Sequence, residues 1–484
     1  MSSASPRARV AVVGGGIAGL AAAYFLRGRG AEVTVLEGSP RIGGKLATSE
    51  VAGVAIDSGA EALLARRPEG LDLIRAVGLS DELVYPGTTA ASIWTRGQLR
   101  TLPRRQFMGV PADFGELAQS QILSPAGLER ARRDEDLPAT RREADVPVGE
   151  YVGARFGSEL VDRLVEPLLG GVYAGRADQL SFEATVPGLA QESRRHRSLA
   201  EAAASLLGGA EPAGGAAPPV FTTMAGGLGT LPQAVARASG AQVRTCATVR
   251  ELARTPARWR LTIGPTAAPE YMNADAVILA LPARPASRLV GQLTGPGAAS
   301  AAAGLAEIES ASMAIITLAY PVTAFPEPLT GSGYLVPAVD GRAVKAVTFS
   351  TVKWPHLADA IHLVRCSVGR IGEESVLQHD DRELAELAAC DLAAATGVTG
   401  RPVDARVTRW GGGLPQYTVG HMERVGRIRA GIAAQPGLAV CGAAYDGIGI
   451  PACIASARLA ADQVADYLAT RFRSATSTPA NARE

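Results

Sequence analysis

Three glycines near the start of the chain, Gly14, Gly16 and Gly19, stand at G-x-G-x-x-G spacing, and an acid, Glu37, comes after them. The run is VAVVGGGIAGLAAAYFLRGRGAEVTVLE, from Val10 to Glu37. Residues of these types hold a pyrophosphate. Gly14 permits a tight turn out of a strand, Gly16 lets a phosphate approach the backbone, and Gly19 lets the next helix pack closely on the sheet. The unpaired N–H groups and positive dipole end of that helix favour an anion. A carboxylate about twenty residues on accepts hydrogen bonds from ribose hydroxyls and repels a 2′-phosphate, which points to the ADP half of a dinucleotide and away from NADP. To position these groups the chain needs a strand over Val10–Val13, a helix from about Ile17 to Leu26, and a second strand closed by Glu37. The order strand, turn, helix, strand, acid separates the run from an ordinary glycine-rich turn. Arg7 and Arg9 ahead of it do not make a signal peptide or a span, because the apolar stretch is broken by glycine and a span needs about 20 predominantly apolar residues.

The whole chain narrows the classes further. Its 484 residues predict two or three domains and room for a buried cofactor. Lys plus Arg (48) nearly balance Asp plus Glu (47), so there is no electrostatic case for nucleic acid. Cys246, Cys366, Cys390, Cys441 and Cys453 are scattered and odd in number, as expected of reduced thiols in the cytoplasm. His196, His356, His362, His379 and His421 show no ligand spacing, so no metal is expected. Leu199–Pro219, rich in Ala, Gly and Pro, reads as a flexible insertion, and residues 473–484 as a disordered tail.

The residues just past Glu37 separate FAD from NAD. Arg41, Gly43, Gly44 and Lys45 lie in SPRIGGKLAT, where a second glycine pair passes under the phosphates. Ile56-Asp57-Ser58-Gly59 reads as a short strand and turn, and Gly59 to Ala62 bring backbone towards a flavin. At the far end, Leu438–Cys441 reads as a strand before GAAYDGIGIPACIASARLAADQVADYL, a glycine-rich turn and a long helix beginning near Pro451. Gly447 and Gly449 allow close backbone approach to the isoalloxazine, and the helix dipole favours the reduced form's charge at the N1/C2=O edge.

Between these ends, Val243–Leu252 reads as a strand carrying Val249, and Ala274–Leu281 as a buried parallel strand stopped by Pro282. Ser312–Tyr320, Val344–Ser350 and Ile361–Val368 read as longer strands roofing the flavin, with a helix after them over Glu373–Thr396. The expected fold class is α/β: a discontinuous Rossmann-like FAD-binding domain (1–72, 221–290 and 403–472), a mixed-sheet substrate domain (73–106, 174–220 and 291–402) and a helical lobe (107–173).

Three further stretches are VEPLLGGVYAGRADQLS (Val165–Ser181), TTMAGGLGTLP (Thr222–Pro232) and RWGGGLPQYTVGH (Arg409–His421). With these the chain resembles, over nearly its whole length, the oxygen-dependent porphyrinogen oxidases of the amine-oxidase-like flavoenzyme superfamily. The pattern of Trp410, Pro415, Gln416, Tyr417, Gly420 and His421 is especially similar. The resemblance implies flavin contacts at Gly14, Gly15, Gly16, Ile17, Ala18, Gly19, Glu37, Gly38, Lys45, Gly59, Ala60, Glu61, Ala62, Val249, Trp410, Ile448, Gly449 and Ile450. Superfamily members commonly have Arg where this chain has Lys45, which keeps the charge but not the bidentate fork.

The resemblance further implies oxidation of coproporphyrinogen III to coproporphyrin III in haem biosynthesis. Each two-electron step moves hydride from a meso carbon to the flavin and a proton from a pyrrole N–H, with O2 reduced to H2O2. The partners it implies are the porphyrinogen, O2 and the next haem-synthesis enzyme, a ferrochelatase, with at most peripheral membrane contact. No acid–base dyad or triad is visible, and no catalytic base is assigned, because the flavin carries the hard chemistry. A substrate with propionates calls for rim cations, for which Arg96, Arg176 and Lys353 are the candidates. Protoporphyrinogen IX as main substrate, a flavin amine oxidase, a carotenoid desaturase and a flavin-containing porphyrin carrier remain as alternatives.

Overall fold

In the computed structural model the described residues are 7–140, 142–208, 220–357 and 360–476. A five-stranded sheet, all parallel, runs in the order Gln242–Arg244, Ala31–Leu36, Ala8–Val13, Ala276–Leu279 and Leu438–Val440. Its central strand is apolar on both faces, as a covered parallel strand must be. Val10 and Val12 enter one core with the helix Ile17–Leu26 and the C-terminal helix Ile450–Thr476. Ala11 and Val13 enter another with Trp259, Leu289, Ile428 and Tyr445. Pieces from the beginning, middle and end of the chain therefore build one α/β layer system.

The second sheet has seven strands in the order Asp404–Pro415, Ser310–Pro321, Ile361–Val368, Val344–Phe349, Gly333–Leu335, Ser92–Thr95 and Gln98–Thr101. It is mixed: Gly333–Leu335 pairs in parallel with Ser92–Thr95, and the other neighbours are antiparallel. Alternation decides its two faces. Ala314, Ile316, Leu318 and Tyr320 pack under the helix Asp381–Thr396, whereas Ala319 and Leu363 turn the other way onto the hairpin of Thr48–Val51 and Val54–Asp57.

The third body is helical, with Phe114–Ser120, Pro125–Arg132, Val148–Phe156 and Glu166–Tyr173 around one core. A buried Arg155–Asp134 ion pair lies within it, so the charged Glu129–Asp136 stretch is not all surface. Its helices continue past Tyr173 through Pro187–Glu192 to Leu199–Leu207.

That last helix corrects one expectation. Leu199–Leu207, read as the start of a flexible insertion, is capped by a Ser198–Glu201 capping box and buries Leu199, Ala200, Ala202 and Ala203. Alanine there is packing surface, not low complexity. Residues 209–219 lie outside the described residues. The final helix runs through Thr476, so residues 473–476 are helical; 477–484 lie outside the described residues.

Four boundaries also move. Val243–Leu252 is two strands, Gln242–Arg244 and Val249–Arg254, in different sheets, separated by a turn with Cys246 at φ 52°. Ala274–Leu281 likewise divides into the end of the antiparallel strand Glu270–Ala274 and the parallel strand Ala276–Leu279. Asp404–Pro415, expected with the cofactor domain, is an edge strand of the seven-stranded sheet. The helix expected over Glu373–Thr396 starts at Asp381, after a short 3-10 turn over Glu374–Gln378, with Asp380 as its cap.

Candidate cofactor site

At the N-terminal turn the glycines do what their spacing asks. Gly14 has φ 108°, its N–H donates to the Leu36 carbonyl (2.8 Å), and a Cβ on it would collide with the Ala280 carbonyl oxygen. A Cβ on Gly19 would collide with the Gly14 carbonyl oxygen. Gly16 differs, because nothing lies within 4 Å of where its Cβ would be. The open space is at the position expected to face phosphate. Ile17 and Ala18 form the first helical turn behind it.

The Glu37 carboxylate accepts from the Gly15 N–H (2.7 Å) and the Ser39 N–H (2.8 Å), which orients it at the strand end. Gly38 lies against Thr248, and Ala247 N–H donates to the Glu37 carbonyl (2.8 Å), bringing Val249 to the same edge. The second glycine pair closes from below. Gly43 N–H donates to the Gly15 carbonyl (2.8 Å), and a Cβ on Gly44 would stand 3.3 Å from Gly16 Cα. Lys45 comes next, its pKa lowered by burial. Among the described residues no carboxylate pairs with it, so this desolvated cation suits an anionic ligand.

The Gly59–Ala62 stretch is tied to the same loop: Ala60 N–H donates to the Lys45 carbonyl (3.0 Å), and a Cβ on Gly59 would strike that oxygen. Trp410 Nε1 donates to the Ser58 carbonyl (2.9 Å). Sequence reasoning missed the neighbour that anchors this stretch. The Asp57 carboxylate accepts from the Leu228 N–H (3.0 Å) and the Gly229 N–H (3.1 Å), and Gly227 leaves room for it. Burial raises its pKa to about 6 against those two hydrogen bonds. The Gly-Gly-Leu-Gly of TTMAGGLGTLP was the available signal, since bare backbone N–H groups there need an acceptor.

The C-terminal turn is held from a distance. Tyr417 is buried, and its hydroxyl donates to the Ala443 carbonyl (2.7 Å) while accepting from the Gly447 N–H (2.8 Å). His421 stacks on the Tyr417 ring with centroids 3.8 Å apart and planes 14° apart, and its Nε2 meets the Tyr445 carbonyl at 3.2 Å. That contact makes Nε2 the protonated nitrogen, and burial lowers the imidazole pKa to about 4. Gln416 Nε2 donates to the Tyr173 carbonyl (2.8 Å), linking the helical body to the turn. Tyr417 and His421 therefore support the turn; they are not an acid–base pair.

Ile448 leans into the helical core, Gly449 is nearly free of neighbours, and Ile450 opens the last helix within the first-helix core. A Cβ on Gly442 would stand 3.9 Å from Ala18 Cβ, so the two glycine turns, from opposite ends of the sequence, meet. The cradle, the bare glycine faces and the buried Lys45 together fit an extended dinucleotide.

The three rim candidates are placed otherwise. Arg96 pairs with Glu159, Arg176 with Asp178 (2.7 Å), and Lys353 Nζ with Glu61 Oε1 (2.6 Å). Each cation has a carboxylate partner within the protein. Among the described residues no three His, Cys, Asp or Glu side chains gather for a metal, and no helix is long and apolar enough to cross a membrane.

Comparison with known proteins decides the family. The family described as flavin containing amine oxidoreductase matches residues 17–465. The chain belongs to it. A flavin joined to the ADP half that the cradle fits is FAD, and this is an FAD-dependent oxidoreductase of α/β fold. It is 38% identical over 471 residues to a coproporphyrinogen III oxidase of Mycobacterium tuberculosis, covering 94% of this chain and 97% of that one. To a coproporphyrinogen III oxidase of Bacillus subtilis it is 31% identical, covering 95% and 98%. Among solved structures, one from Exiguobacterium sp., provisionally named a protoporphyrinogen oxidase, superposes with TM-score 0.84 at 31% identity, covering 96% of this chain and 99% of that one.

Proposed function

We propose that this member of the family oxidises coproporphyrinogen III to coproporphyrin III with FAD and O2, releasing H2O2, in the cytoplasm and ahead of a ferrochelatase. The observation that carries the reading is the junction at Tyr417. The Gln416–His421 segment, whose pattern is similar to porphyrinogen oxidases, is what holds the C-terminal glycine turn through the Tyr417 hydroxyl. The near full-length likeness to coproporphyrinogen III oxidases supports the substrate.

Gly14–Gly19 and Lys45 would hold the pyrophosphate, Glu37 the ribose, Gly38 and Val249 the adenosine edge, and Gly59–Ala62, Trp410 and Ile448–Ile450 the flavin end. Bound there, the flavin supplies the hydride acceptor for a meso carbon and passes electrons to O2. The chain's own part is positioning. Bare backbone at Gly16 and Gly449 would let a ligand come close, the buried Tyr417–His421 stack braces the turn, and the mixed sheet would roof the site. We assign the parallel sheet with its helices to the cofactor, the seven-stranded sheet to the substrate, and the helical body to the side wall.

The test mixes purified protein in air with coproporphyrinogen III, protoporphyrinogen IX, a polyamine or phytoene, and tracks porphyrin fluorescence and H2O2. Fluorescence should rise fastest with coproporphyrinogen III. No gain from either tetrapyrrole removes the proposal.

A further inference from the structure

Between Asp57 and Glu61 the cofactor side of the molecule is gripped by side chains of the roof. Arg365, on the strand Ile361–Val368, donates to the Asp57 carbonyl (2.8 Å) and to the Gly59 carbonyl. Trp410 takes the Ser58 carbonyl between them (2.9 Å). Lys353 then meets the Glu61 carboxylate at 2.6 Å, and Arg365 stands 3.6 Å from its other oxygen. Three successive carbonyls and one carboxylate are thus held from the opposite sheet and the turn beside it.

The Lys353, Glu61 and Arg365 side chains are 17%, 16% and 13% exposed, so the cluster is largely desolvated. Burial alone would raise the Glu61 pKa, but the two cations hold it at about 2. Beside the cluster lies a cavity of about 40 Å³ lined by Asp57, Glu61, Thr223, Thr317, Trp354 and Arg365. On one side the stretch abuts the Lys45 carbonyl, and on the cavity side there is space instead of packed side chains. On that side charge and hydrogen bonds set where Asp57–Glu61 sits.

We infer that Lys353 and Arg365 are positioning residues for the cofactor: through Glu61 and the carbonyls of Asp57 and Gly59, they fix how closely the Gly59–Ala62 backbone meets the flavin. The inference rests on the reading that this backbone faces FAD. Neither cation is a catalytic residue, and neither is a propionate receptor. The roof sheet thereby influences the cofactor electronically as well as covering the substrate.

The experiment strips FAD from the purified full-length protein and titrates it back into wild type, Lys353→Met, Glu61→Gln, their double variant, Lys353→Arg and Arg365→Lys. It reads the FAD dissociation constant, the visible flavin spectrum and the midpoint potential, alongside the melting temperature of the FAD-free protein. Lys353→Met and Glu61→Gln should each weaken FAD binding about tenfold and shift spectrum and potential. The double variant should be no worse than either single one, because both remove the same contact. Lys353→Arg should restore binding, whereas Arg365→Lys, which loses the fork that reaches two carbonyls, should not.

A purely structural pair would lower the FAD-free melting temperature and leave potential and spectrum of the reconstituted protein untouched. That result overturns the inference, as do folded variants with unchanged FAD affinity. Should Lys353→Met not fold, the isosteric Glu61→Gln carries the same test. If wild type itself takes up no FAD, the flavin-facing reading falls first, and the inference with it.

Discussion

The glycine turn at Gly14–Gly19 is held by its own neighbours, with Gly14 N–H on Leu36, Gly15 N–H on Glu37 and Gly15 C=O on Gly43. The turn at Gly442–Gly449 is held by side chains that arrive from elsewhere: Tyr417 on Ala443 and Gly447, His421 on Tyr445, and Ser456 on Gly442. The first is a backbone device whose failure mode is steric. The second is a tethered device whose failure mode is an unpaired polar group or a buried charge. Two turns with similar composition, which meet where Gly442 approaches Ala18, thus respond to different perturbations.

The largest effect should come from Gly19→Val. Its Cβ would occupy the space of the Gly14 carbonyl oxygen, and we expect a loss of about 4 kcal/mol or outright misfolding. The check is whether any yellow protein appears in the soluble fraction; stable FAD-bound protein would contradict the steric account.

Acid should act on the other turn. His421 has its folded pKa at about 4, below the ordinary 6.5. Between those values the unfolded chain binds a proton that the folded chain does not, so stability is greatest above pH 6.5 and falls as pH drops towards 4. The loss attributable to this group is about 3 kcal/mol. Asp57 works in the opposite sense, since its raised pKa of about 6 makes the folded chain the better proton binder between pH 6 and 4. Melting curves of wild type and His421→Gln over pH 7 to 4 isolate the histidine: the variant should show the shallower decline, and parallel slopes would refute its role.

Tyr417→Phe keeps the stack on His421 but strands the Gly447 N–H and the Ala443 carbonyl, at a cost of about 2 kcal/mol. Chemical denaturation of the FAD-bound protein measures it. Unlike Gly19→Val, this variant should still fold and retain FAD, with lower affinity.

Gly16→Ala should be smallest in stability and most informative about the cradle. Gly16 has an ordinary φ of −73° and no atom within 4 Å of a new Cβ, so the FAD-free protein should change by less than about 0.5 kcal/mol. FAD affinity should nevertheless fall measurably, because the methyl group enters the space left for phosphate. Equal affinity in a titration would mean that the open face at Gly16 is not the phosphate face.

Legibility in the sequence divides along the same line. The N-terminal turn was legible because strand, glycines, helix and acid are contiguous, and each contact is within reach of local sequence. The strand-turn-helix at the C-terminus was legible as elements. Its support was not, because Tyr417 and His421 signal nothing about Ala443, Tyr445 and Gly447 until a buried helix is folded beside them. Asp404–Pro415 shows the same limit, since its place in the seven-stranded sheet comes from pairing with Ser310–Pro321 almost a hundred residues earlier. For the rim candidates charge is visible in a sequence whereas its partner is not, as the Lys353–Glu61 contact across 292 positions shows.

By itself, then, the sequence determined the ADP cradle, the flavin-type second glycine pair, the α/β class and the resemblance to porphyrinogen oxidases. These depend on short-range backbone geometry and residue order. Only the tertiary structure decided which sheet owns each strand, what braces the C-terminal turn, and that Glu61, Lys353 and Arg365 form one desolvated cluster. Those outcomes depend on burial, which raises the cost of an unpaired group and can be known only once distant segments have excluded water together.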